Sequence, residues 1–112
     1  MSKIKRKSLT LFAKKELETI HDYSAHYNKL LRKNHSQVLL DLMVEHIDEI
    51  RQRHGNSDKH YLIETGDLLI LCLELIKESK SCPDDILSRC YDRYHKKLPR
   101  LIEEVKIKKR RD

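Results

Sequence analysis

The sequence predicts an all-α protein, a four-helix bundle in a single domain. Three observations carry that expectation. The 112 residues include only two Gly, two Pro, one Phe and no Trp, too few turn formers and aromatics for a strand-rich fold. Charged residues make up 38% of the chain, and Leu, Ile, Lys, Glu and Asp dominate, as in helices with solvated outer faces. Apolar residues recur at steps of three and four over long windows, the period of a helix face. The length suffices for one modest core.

The first helix is predicted from about Leu9 to Leu31, with Leu17, Ile20, Tyr23, Tyr27, Leu30 and Leu31 along one stripe. That stripe is thin and rich in Tyr, so this helix is expected to pack on one side only. Asn34-His35-Ser36 breaks the pattern, and Asn34 or Ser36 suits the N-cap of a second helix. It runs to about Arg53 and carries a broad apolar face of Val38, Leu39, Leu42, Met43, Val44, Ile47 and Ile50. Arg51 and Arg53 in its last turn complement the helix dipole.

The stretch from His54 to Asp58 reads as a loop, with Gly55 expected to take a left-handed conformation just past the helix end. Ser57 or Asp58 is suited to cap the next helix. That third helix is predicted from about Lys59 to Ser79. Its run from Leu68 to Leu73 is unbroken, and Leu75 and Ile76 extend it. A helix apolar on nearly all sides is buried centrally or at a subunit interface, so the bundle is expected to be completed as a homodimer or higher oligomer. Pro83 fits the first turn of the fourth helix, where Asp84 and Asp85 complement the dipole. Ile86, Leu87, Cys90, Tyr94, Leu98, Leu101 and Ile102 form its stripe. Pro99 is expected to kink or end it, leaving a frayed helix or tail to Asp112.

The formal net charge of +6 is unevenly placed. Lys3, Lys5, Arg6 and Lys7 make one end basic, and Lys106, Lys108, Lys109, Arg110 and Arg111 the other. They are either solvated tails, about 1–8 and 106–112, or a means of attracting polyanions such as nucleic acid. No apolar signal core follows Met1, and no apolar run approaches the roughly 18 residues needed to span a membrane. Cys72, Cys82 and Cys90 are odd in number and irregular in spacing, which points to a reducing cytoplasm rather than a disulfide framework. There is no phosphate-cradling Gly-rich loop, no Gly-x-Ser-x-Gly elbow and no His-Glu-x-x-His. Cys82, Cys90 and His95 lack the paired spacing of a structural zinc site.

The chemistry lies in the acids. On a helix Glu45 and Glu49 share a face, and Asp48 lies close to it; Glu64 and Asp67, three apart, form a second pair. Fourteen residues separate Glu49 from Glu64, enough for a last helical turn, a loop and an antiparallel return. Carboxylates brought together in this way repel unless a cation sits between them, and hard oxygen ligands suit magnesium or manganese. Gly66, inside an otherwise good helix, points to close approach by the neighbouring helix or by a ligand.

Ile63-Glu64-Thr65-Gly66-Asp67-Leu68-Leu69 resembles the second motif, Glu-x-x-Asp with a following apolar run, of the MazG-like all-α nucleoside triphosphate pyrophosphohydrolases. Val44-Glu45-His46-Ile47-Asp48-Glu49-Ile50 is similar to their first motif, Glu-Glu-x-x-Glu, with His46 in place of the second acid and Asp48 as a possible substitute. Cys82-Pro83-Asp84-Asp85-Ile86-Leu87 resembles the start of the family's next helix, and the likeness runs from about Gln37 to Leu98. Tyr91 stands where the family often has Asn.

The resemblance implies a fold, a metal and a reaction. Glu45, His46, Glu49, Glu64 and Asp67 would hold Mg2+, with Mn2+ possible. Glu45 and Glu49 would serve catalysis, while Arg93, Lys96 and Lys97 would offset phosphate charge. Water would attack between the α and β phosphates of a (d)NTP, releasing (d)NMP and pyrophosphate. His46 and Tyr91 favour a second expectation, a noncatalytic protein of this fold that binds nucleotide or a protein partner. A basic helical nucleic-acid binder is the third.

Overall fold

The computed structural model describes residues 14–111. The basic segment 1–8 and the expected start of the first helix lie outside the described residues. There are four helices: α1 Lys14–Leu30, α2 His35–Gly55, α3 Tyr61–Glu78 and α4 Pro83–Arg111. Among the described residues there is no strand, as composition led us to expect. The chain divides into two compact units, the first ending at Ser79 and holding α1 to α3, the second beginning at Lys80 and holding α4.

In the first unit α2 and α3 form an antiparallel pair. His46 meets Glu64 while His35 nears Glu74, so one residue number rises as the other falls. The break before α2 is capped by Asn34, whose side chain accepts from the backbone N–H of Gln37 at 2.9 Å, satisfying one of the first-turn donors. The ends of α1 and α2 are built alike. Lys33 N–H reaches the Asn28 carbonyl at 2.9 Å and Arg32 N–H the Lys29 carbonyl at 3.0 Å; Asp58 N–H reaches Arg53 at 2.8 Å and Ser57 N–H reaches His54 at 3.1 Å. These are Schellman turns, which need a left-handed residue after the helix. Arg32 and Ser57 take that role, with φ of 58° and 59°. Gly55 was expected there; it closes α2 two residues too early and has no positive φ.

Between Ser57 and α3, Asp58 closes the loop. Its carboxylate accepts from the His60 backbone N–H and from Arg53, each at 2.9 Å. The His60 N–H and the neighbouring Arg53 charge hold the Asp58 carboxyl below its ordinary range. α3 itself begins at Tyr61 rather than Lys59, after His60.

The buried interior of this unit is small and mixed. Leu17, Leu39 and Leu71 are its buried apolar residues, with Leu39 only 1% exposed; Asn28, Glu64 and Glu74 are buried beside them. α3 is apolar around most of its girth, yet Leu62 and Ile63 remain 58% exposed and Leu69 is also exposed.

In the second unit, α4 opens on Pro83 with Asp84 and Asp85 in the first turn and closes on Lys108, Lys109, Arg110 and Arg111. Both ends complement the dipole. Pro99 lies inside the helix and does not end it. Its missing N–H removes a single bond from a helix of 29 residues, and the charged ends favour continuation. Among the described residues no helix is long and apolar enough to cross a membrane.

Candidate metal centre

Glu64 sits in the first turn of α3, and its side chain turns inward against α2. His46, near the middle of α2, meets it with Nδ1 2.6 Å from Oε1. Glu49, one turn further along the same face of α2, brings a carboxylate oxygen within 4.8 Å of the His46 and Glu64 donor atoms. His60, four residues before Glu64, brings Nε2 to 3.7 Å from Oε2. The hydrogen bond from His46 is the main reason the Glu64 carboxyl is held below its ordinary range; the His46 and His60 charges act in the same direction against desolvation.

One donor atom each from His46, Glu49 and Glu64 lies within 4.8 Å of the other two. The set is graded in exposure: Glu64 is buried, His46 half-buried and Glu49 exposed. A nitrogen and two carboxylate oxygens that open to solvent on one side suit a divalent metal with positions left for water or phosphate. The donor chemistry therefore fits such an ion, with the imidazole favouring a softer ion than an all-oxygen set would.

Three of the five predicted metal ligands are thus brought together. Glu45 and Asp67 are exposed and lie outside that group. Helix rotation explains Glu45. Adjacent residues diverge by about 100° on a 3.6-residue helix, so with His46 against α3, Glu45 turns away. Asp67 stands from Glu64 at the same spacing that brings Glu49 into the group beside His46, yet it is exposed, so rotation accounts for Glu45 alone. Asp48 is exposed as well. A Cβ on Gly66 would meet nothing within 4 Å, so close approach by the neighbouring helix is not what this glycine serves. Arg93, Lys96 and Lys97 are exposed side chains of α4, with the Arg93 guanidinium 5.9 Å from the centre of the Tyr94 ring. Sequence reasoning passed over His60, although its four-residue spacing to Glu64 was there to be read.

A phosphoribosyl-ATP pyrophosphatase of Nitrosomonas eutropha is 31% identical to this chain over 85 residues, which cover 76% of the chain and 70% of that relative. The chain belongs to the MazG-like nucleotide pyrophosphohydrolase superfamily. No family model and no solved structure matches it. As a MazG-like protein, it departs from an all-carboxylate first motif at the residue that makes the shortest contact of the site. His46 occupies that position and bonds directly to Glu64 of the second motif.

Proposed function

We propose that this MazG-like chain is a divalent-metal-dependent pyrophosphohydrolase that converts a (d)NTP to (d)NMP and pyrophosphate. The observation that carries the proposal is the convergence of His46, Glu49 and Glu64, from the two motif-bearing helices, within 4.8 Å. A divalent metal held there would neutralise phosphate charge and acidify water. Buried Glu64 anchors the group, and His46 fixes its orientation through Oε1. Exposed Glu49 is placed to take the proton of the attacking water. The new bond joins the water oxygen to the α phosphorus, and the bond from that phosphorus to the α–β bridging oxygen breaks. Glu45 and Asp67 remain candidates for catalysis and for metal binding respectively, and Arg93, Lys96 and Lys97 for phosphate charge, on the family likeness alone.

The imidazole tilts the proposed metal preference from magnesium toward manganese. Pyrophosphate release from a panel of NTPs and dNTPs, with Mg2+ and then Mn2+, tests the reading. Release that requires metal supports it and names the substrate class; none from folded protein overturns it.

The His46–Glu64 bond also favours a second reading, a noncatalytic nucleotide-binding protein. An imidazolium there would supply positive charge where a metal would otherwise sit. Nucleotide binding without turnover distinguishes the two. The exposed apolar residues of α3 support a homodimer or higher oligomer, measurable by light scattering. Binding of nucleic acid by the basic ends would show a steep salt dependence.

A further inference from the structure

Glu74 interrupts the apolar run of α3, yet it is only 3% exposed. A carboxylate taken out of water needs charge or donors around it. Among the described residues no Lys or Arg pairs with it. Ser24 of α1 donates a hydrogen bond to Oε1. Two histidines from different helices face the same oxygen: His21 Nδ1 at 3.7 Å and His35 Nε2 at 4.0 Å. Both of those nitrogens are buried, and neither has a hydrogen-bond partner. Such orphaned ring nitrogens are rare in folded proteins.

The other ring nitrogens are held. His21 Nε2 lies 3.2 Å from Glu78 Oε1, so each nitrogen of His21 faces a carboxylate. Whichever one binds an ion, the other has an acceptor to orient its N–H. His35 Nδ1 lies 2.8 Å from the side-chain amide nitrogen of Asn28, a residue buried beside it. A half-turn of that amide presents its oxygen to an Nδ1–H and leaves the Nε2 lone pair pointing at Glu74. Donor atoms of His21, His35 and Glu78 all fall within 4.8 Å of one another. Tetrahedral ligands with bonds of about 2.0–2.1 Å stand about 3.3–3.4 Å apart. The 3.2 Å between His21 Nε2 and Glu78 Oε1 is close to that value, and the 3.7 and 4.0 Å from His21 Nδ1 and His35 Nε2 to Glu74 Oε1 are too long for direct hydrogen bonds.

We propose that His21, His35 and Glu78, with Glu74 orienting the other nitrogen of His21, form a site for one divalent transition-metal ion, zinc first, that staples α1 to α2 and α3. Two imidazoles and one carboxylate suit zinc, cobalt or nickel and disfavour magnesium. The role of the ion follows from α1, which contributes only Leu17 to the buried apolar residues described. The ion would supply the attachment that so thin a stripe lacks. Zinc spacing is invisible in the sequence because the ligands come from three helices. The proposal does not rest on the pyrophosphohydrolase reading.

The test uses the full chain, stripped with chelator, in a Glu64→Gln background that removes the other centre. Co2+ is the probe. One equivalent per chain should give a tetrahedral visible absorption that Zn2+ displaces, and Zn2+ should raise the melting temperature. His35→Gln should abolish both responses with helical circular dichroism retained. Glu78→Gln, at the exposed rim, should weaken Co2+ affinity by about 10–100-fold. Failure of the folded parent to bind Co2+ stoichiometrically overturns the site, as does an undiminished response in His35→Gln. If His35→Gln does not fold, Glu78→Gln decides alone: unchanged affinity overturns the proposal, and weakened affinity supports it.

Discussion

The three-helix unit places two histidine–glutamate centres about 15 Å apart along α3, ten residues at 1.5 Å each. Near the α2–α3 loop, His46 and Glu64 touch at 2.6 Å and Glu49 lies open to solvent. Toward the other end, His21 and His35 stand 3.7 and 4.0 Å from a carboxylate that is almost wholly enclosed. The same side chains therefore serve different ends. An open rim admits phosphate and water, which chemistry needs, whereas the second group sets two half-buried imidazoles around a buried carboxylate.

The largest effect expected is one that both centres share. Leu39 lies on α2 between His35 and His46 and is the most buried side chain described. Leu39→Ala should cost about 2–5 kcal/mol, read by urea denaturation, and should weaken both centres. A cost well under about 1 kcal/mol would mean that the two do not depend on one core. His46→Glu acts on the open centre alone. It makes the set all-carboxylate, so the ratio of manganese- to magnesium-supported turnover should fall, by roughly tenfold. An unchanged ratio would show that His46 is not a ligand. Asn34→Ala removes the cap beside His35 and should cost about 1 kcal/mol. Because the fraying starts at the enclosed centre, the zinc-induced melting shift should shrink while the open centre is spared; loss of both would erase the distinction.

Acidity separates the open centre more gently. The Glu64 carboxyl is held below its ordinary range by His46. In acid the unfolded chain therefore takes up this proton first, and stability falls with falling pH. The contribution is whole above the ordinary carboxylate range and disappears as pH drops through the lowered value. In thermal melts from about pH 6 to pH 3, Glu64→Gln should lose less stability than the parent. Parallel curves would contradict the assignment.

The helices were legible because a single period governs each apolar face, and Asn34 was legible because capping depends on local chemistry. Pro99 does not end α4 because one missing donor is a small loss beside the remaining bonds and charged ends of a long helix. Gly55 misled because Arg32 and Ser57 accept left-handed backbone where glycine was the expected choice. In the open centre, spacing singled out Glu49 and Glu64 and the family likeness singled out His46, but which neighbouring acid joins them depends on the folded pairing of α2 and α3, and Glu45 and Asp67 lie exposed outside the group. The enclosed centre had no linear signature at all. His21, His35 and Glu74 lie on three helices and meet only after folding.

Pyrophosphate release with Mn2+ from the wild type beside Glu64→Gln addresses the open centre most directly. Release that depends on metal in the wild type, and falls by more than about 100-fold in a variant with intact helical circular dichroism, is the expected result. Equal release from the two, or release from the wild type that persists after chelation, would contradict the account.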